Sequence, residues 1–276
     1  MIRVVLAASL LWCATPGAAE PLKFYNGRLF IPASVNRIAT EALLDSGAEA
    51  TIVDPVFAAK AKFPEGSPQL IKGSGGSAEA RIVPGVTVNA LGLELHPEAV
   101  VVLDLSDLST RLIKRPTSAV VGRELFDAAR LQIDIQHGAI AVVDKALVPP
   151  GKKLALTGHA GIEAIPVRAN GVEAQAEFDL GNGSEVMISR DLVKKLHLKI
   201  VGRRAGGGIG GAIRRDLVRL DRLEVAGRTF RNVTANIDDQ PSHDDMNVGT
   251  SILKDFLITA DFADHAVWLE PLALAK

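Results

Sequence analysis

Residues 29–45 form two apolar-rich runs on either side of Asn36-Arg37, the pattern of a strand, a turn and a second strand. Residues 165–179 repeat that pattern around Asn170-Gly171, a stronger hairpin signal because both residues tolerate positive φ. Residues 81–95 and 217–230 alternate apolar and polar positions, as half-buried strands do. Helical signals are short. Asp54 as N-cap before Pro55 opens one helix, Ser189 caps another that runs through His197, and short helices follow Gly122 and Gly249. These elements predict an all-β fold with a few small helices.

The hairpins are copies of each other. Residues 31–47 align with 165–181 at a shift of 134, with six of seventeen positions identical, Asp45 meeting Asp179 and Gly47 meeting Gly181. Further on, at a shift of 135, Gly73, Gly75 and Gly76 meet Gly208, Gly210 and Gly211, and Gly92 meets Gly227. Near the end of each half the shift falls to 127, because the first half carries a longer loop around residues 104–116; there Gly122 meets Gly249 and Asp134 meets Asp261. A period this long is duplication of a domain, not a solenoid repeat. The join falls near Pro149-Pro150-Gly151, which divides the chain into a lobe over residues 20–148 and a second lobe over 149–276.

Composition adds a compartment and removes partners. The formal charge of −1 argues against nucleic acid and against an anionic membrane surface as partners. Residues 1–19 read as a signal peptide: Arg3, an apolar run from Val4 to Trp12, and the small residues Gly17-Ala18-Ala19. The run is short for a bilayer, so no stable membrane anchor is expected after cleavage. The single cysteine, Cys13, lies inside this leader, and losing Arg3 leaves 30 basic against 32 acidic residues, a charge of −2. The expected mature chain is exported, with neither disulfides nor thiol chemistry; the periplasm is the first expectation and secretion the second.

Both copies keep an aspartate, then glycine two residues later, after an apolar run: Leu43-Leu44-Asp45-Ser46-Gly47-Ala48 and Phe178-Asp179-Leu180-Gly181. A carboxylate at the end of a buried strand is costly unless paired, hydrogen-bonded or functional, and the glycine lets the chain turn sharply beside it. These residues, with Thr51-Ile52-Val53, the glycine-rich segment 72–80 and Val120-Val121-Gly122, resemble the aspartic proteases, most closely the retropepsin-like group in a fused two-lobed, exported form. The resemblance implies two similar β-barrel lobes from one duplication. Asp45 and Asp179 would form a catalytic dyad between them, supported by Ser46, Gly47, Ala48, Leu180 and Gly181. It further implies substrate flaps at Gly73, Ser74, Gly75 and Gly76 and at Gly208, Ile209, Gly210 and Gly211, and neither a metal nor an organic cofactor.

Other motifs weigh less. Gly206, Gly208 and Gly211 satisfy G-x-G-x-x-G, but an alternating strand follows where a dinucleotide site needs a helix. The histidines lack metal-ligand spacing, Ser184 is not in a G-x-S-x-G elbow, and His243-Asp244-Asp245 reads as a solvated loop. Arg203-Arg204 and Arg214-Arg215 read as solvated turn ends, and Asp134 and Asp261 as scaffold residues. The expectation is a monomeric aspartic endopeptidase that takes an extended peptide or protein. Leu180 stands where the family has Ser or Thr, and Asn247 where the first copy has Val120. The alternatives are therefore a catalytically inactive peptide-binding protein with the same two lobes, and a structural module.

Overall fold

The computed structural model describes residues 18–159, 161–184, 186–239 and 244–273. The leader expected over residues 1–19, apart from Ala18 and Ala19, lies outside the described residues, as does His243. Among the described residues, no helix is long and apolar enough to cross a membrane.

Strands dominate the described residues, as expected, and form three sheets there. In the first lobe, Asn36 and Arg37 take φ of 46° and 67° and close the hairpin of Arg28–Val35 and Ile38–Leu44. In the second, Asn170 and Gly171 at 48° and 85° close Ala164–Ala169 and Val172–Phe178. Both are the geometry that matches the twist of a two-residue hairpin. The second lobe closes into a barrel because Ala164–Ala169 also pairs with Ile213–Val225. The first lobe's sheet has ten strands and differs in one respect. The alternating segment 81–95 is broken into the end of Gly76–Val83, then Val88–Ala90 and Leu93–Leu95. Pro84 has no N–H to give the ladder, and Gly85 turns the chain at φ 71°, whereas Ile213–Val225 runs unbroken for 13 residues.

The third sheet joins the lobes and shows their symmetry. Leu131–Asp134 pairs antiparallel with Phe256–Asp261, and Gln132 lies directly opposite Thr259, its own equivalent at the shift of 127. The flanking pairs Leu131–Ala260 and Ile133–Ile258 exchange under the same shift, so a pseudo-twofold axis passes between Gln132 and Thr259. The outer strands obey it too: Glu20 faces Ile140 as Leu154 faces Val267. Under this sheet Phe126 stacks on Phe262 with centroids 4.9 Å apart, and Phe178 meets Phe262 edge-on at 6.4 Å. Asp261, fully buried, receives Arg130 Nε at 2.9 Å across the lobe boundary, which balances a charge that would otherwise be costly there. Asp134 and Asp261 each accept the N–H three residues on, from His137 at 3.0 Å and Asp264 at 3.2 Å, so both brace a turn of the scaffold.

Helices are short. Asp54 Oδ1 accepts the Val56 N–H at 2.9 Å ahead of Pro55–Lys60. Ser189 caps Arg190–Lys195, which stops two residues before the expected end because His197 turns to φ 52°, as its equivalent Lys62 does. Arg123–Ala128 and Thr250–Leu253 follow Gly122 and Gly249. Leu108–Ile113 forms a π-helical turn inside the long loop of the first lobe, an element the sequence pattern does not announce.

Candidate active site

Each lobe builds its aspartate loop in the same way. Val120 and Val121 pair in parallel with Leu43 and Leu44, and the Asp45 N–H donates to Val121 O at 3.0 Å. In the second lobe Asn247 and Val248 pair with Glu177 and Phe178, and the Asp179 N–H donates to Val248 O at 3.1 Å. The loops press on the glycines that follow: a Cβ at Gly122 would sit 2.7 Å from Ala48 O, and one at Gly249 would overlap Asn182 O. The next residue, Arg123 or Thr250, donates its N–H to those same carbonyls at 2.9 and 3.0 Å. The apolar–apolar–glycine element is therefore a cradle for the aspartate loop.

The two loops interlock across the axis. Gly47 N–H donates to Asp45 Oδ1 and Gly181 N–H to Asp179 Oδ1, both at 2.9 Å. Each carboxyl lies against the other lobe's glycine: a Cβ on Gly47 would stand 2.9 Å from Asp179 Cγ, and one on Gly181 would overlap the Asp45 carboxyl. The two carboxyls are near enough for the Asp179 side chain to act on Asp45 through both charge and hydrogen bonding. Burial first, and then the neighbouring Asp179 charge, push Asp45 up to about 7. Ser46, fully buried, donates its hydroxyl to Phe178 O at 2.8 Å and accepts the Leu180 N–H at 2.9 Å. Leu180 supplies no reciprocal hydroxyl; its side chain is fully buried in the core.

The carboxyls are not equivalent. Asp179 collects three donors: Gly181 N–H at 2.9 Å and Asn182 N–H at 3.0 Å on Oδ1, and Asn247 Nδ2 at 2.7 Å on Oδ2. Asn247 also donates to Glu177 Oε2 at 2.9 Å and accepts from Asn182 Nδ2 at 2.7 Å. Arg28 stands beside the pair. Burial lowers its pKa, while the Asp179 and Asp45 charges work to raise it, and its Nη1 donates to Asn26 O at 3.2 Å.

The glycine-rich segments of the two lobes meet each other. Gly75 N–H donates to Ile209 O at 2.8 Å, and a Cβ on Gly73 or Gly210 would collide with the opposite segment. Gly207, Gly210 and Gly211 take φ of 97°, 93° and 119°, which side chains other than glycine resist. Each segment is tied by an arginine of the other lobe. Arg111 donates to Gly206 O and Gly208 O, both at 3.1 Å, and Arg215 donates to Ser74 O at 2.7 Å. Arg215 is therefore not a solvated turn end: it is 5% exposed and held by Asp238 at 2.7 Å. Arg203, paired to Asp216 at 2.7 Å, is exposed. A cavity of about 260 Å³ lies between these tips and the π-helical turn, lined by Ala78, Leu103, Leu108 and Ile209 with Asp104 and Asp107.

The residues expected for the dyad, its supporting loops and the flaps thus lie at two places, the interlocked aspartate loops and the touching glycine tips. Arg28, Arg111, Glu177 and Asn182 were missed. Glu177 alone left a signal, a charge where the first copy has Leu43. A family model described as aspartyl protease matches residues 31–124 and again 165–252, so each match holds one aspartate loop and one glycine cradle. No curated protein matches the chain.

Proposed function

Because the chain belongs to the aspartyl protease family, with two retropepsin-like repeats, we propose that it is an aspartic endopeptidase whose Asp45 and Asp179 activate a water between the lobes. The observation that carries this reading is the inequality of two neighbouring carboxyls, each set against the other lobe's glycine. Three hydrogen-bond donors converge on the Asp179 carboxyl, and burial favours the protonated form of Asp45. Asp179 is then the general base and Asp45 the acid.

In the first step the water oxygen bonds to the peptide carbonyl carbon, one water proton passes to Asp179, and the Asp45 proton passes to the carbonyl oxygen. In the second, Asp179 returns its proton to the leaving nitrogen, a gem-diol proton goes back to Asp45, and the C–N bond breaks. Products are a carboxylic acid and an amine, and the dyad is reset. The substrate lies extended under the glycine tips, whose backbone groups pair with it as strands do, and the 260 Å³ cavity accepts an apolar side chain. The working form is a monomer acting after export, in the periplasm before the medium.

Peptide binding without chemistry is the rival reading, and it rests on Leu180. Ser46 opposes it, since one hydroxyl makes both cross-lobe bonds. A peptide-library digest of the chain from Glu20 between about pH 3.5 and 7.5, run beside Asp45→Asn and Asp179→Asn, tests the proposal. The expected result is cleavage by the parent and at least about a hundredfold loss in each variant with circular dichroism unchanged. Cleavage retained in either variant rejects the dyad.

A further inference from the structure

Two positions of the second aspartate loop differ in kind from their repeat equivalents. The first lobe pairs Leu43 with Val120; the second pairs Glu177 with Asn247 at the same place in the ladder. A carboxyl and a carboxamide at a partly buried site cost free energy unless their polar atoms are satisfied. Here the carboxamide is committed on every side that points inward. One Nδ2 proton goes to Glu177 Oε2 at 2.9 Å, the other to Asp179 Oδ2 at 2.7 Å, and Oδ1 accepts Asn182 Nδ2 at 2.7 Å. Swapping the amide's N and O would set an oxygen against the Asp179 carboxylate and an NH2 against Asn182 Nδ2, so the network favours one orientation.

Resting on the dyad assigned above, we propose that Glu177 is a positioning residue for the reaction: it anchors the Asn247 carboxamide so that its second N–H is held on the Asp179 carboxylate. Glu177 touches no substrate and acts only through Asn247. Its surroundings suit an acceptor that adds no charge next to the base. Among the described residues, the charged groups that act on it most are Asp179 on its own loop, Asp244 ahead of Met246–Val248, and Asp238 at the end of Arg228–Asp238, itself met by Arg215; its ladder partner in Ala164–Ala169 is the uncharged Ala164. Burial, reinforced by those acidic neighbours, lifts Glu177 to about 7 against the Asn247 bond, so the side chain is neutral where an acid dyad works.

The test borrows the first lobe's own residues, which this architecture already accommodates. Glu177→Leu and Asn247→Val should each lower kcat about tenfold or more with KM within about twofold, and the double variant should lose no more than either single change. Glu177→Gln, which keeps the acceptor, should recover most of kcat. Side-chain amide NMR reads the same contact without turnover: in Glu177→Leu the Asn247 Nδ2 protons should exchange with solvent about tenfold faster. Unchanged Asn247 amide exchange, additive losses, or Glu177→Gln as impaired as Glu177→Leu would overturn the proposal. If the parent cleaves nothing while the Asn247 amide exchange still rises, the peptidase reading fails and the positioning role stands.

Discussion

The Ser46 hydroxyl lies between Phe178 O and the Leu180 N–H, at 2.8 and 2.9 Å, and so ties the two aspartate loops together from one side only. The equivalent position on the other side is Leu180, buried completely.

Removing that hydroxyl leaves a buried carbonyl and a buried N–H without their partner. Ser46→Ala should destabilise the fold by about 2–6 kcal/mol, since each of the two orphaned buried groups costs roughly 1–3 kcal/mol. Urea unfolding checks it: the midpoint should fall with the slope unchanged. A shift under about 0.5 kcal/mol would mean that the loops are held by other contacts.

Asp45 and Glu177 start from ordinary values of 3.8 and 4.5 and are lifted to about 7 in the fold. Both bind protons more tightly folded than unfolded. Their contribution to stability is complete below about pH 4 and is lost as pH rises towards 7, at most about 1.4 kcal/mol per pH unit for each. Stability measured by denaturant between pH 4.5 and 7.5 should therefore decline, and Asp45→Asn or Glu177→Gln should flatten the decline. Peptide cleavage should follow the same direction, kcat/KM falling as pH rises through about 7 and Asp45 loses its proton.

A methyl group added at Gly181 would overlap the Asp45 carboxyl, whereas one at Gly47 would stand 2.9 Å from Asp179 Cγ. Neither glycine has a positive φ, so the penalty is one of contact and not of backbone conformation. Gly181→Ala should lower kcat by about a hundredfold or more, because displacing a reacting group by about 1 Å costs on that order, and Gly47→Ala should lose less. Kinetics of the two variants side by side give the ranking; the reverse order would contradict this geometry.

Arg111 ties the second lobe's glycine tip through Gly206 O and Gly208 O while paired to Asp107 at 2.7 Å. Arg111→Ala should speed amide exchange at Gly75, whose N–H rests on Ile209 O of that tip, by about tenfold, while global stability changes by less than about 1 kcal/mol. Hydrogen exchange with a parallel denaturation curve reads both. Unchanged exchange at Gly75 would show that the tips hold each other without the strap.

Much of this was legible along the chain because duplication writes tertiary symmetry into sequence. The shift of 127 that aligns Gly122 with Gly249 also sets Gln132 against Thr259 on the pseudo-twofold axis. The Asp–x–Gly pairs and the glycine clusters were readable for a second reason: tight turns and close backbone approach demand glycine locally. Arg28, Arg111 and Arg215 were not, since nothing near an arginine in sequence says that its guanidinium will meet a carbonyl 97 or 141 residues away. Asn247 was visible only as a departure from Val120. Its purpose depends on Glu177 and Asn182, which reach it from another strand and another loop.

The sequence by itself determined two β lobes, the strands and turns within them, and one aspartate at the same place in each, because local propensity and an internal repeat carry that information residue by residue. Only the tertiary structure decided that the two aspartates are unequal. That inequality comes from burial, from the charge of the opposite carboxyl and from three donors converging on Asp179, and these arise when segments far apart in the chain are packed against one another.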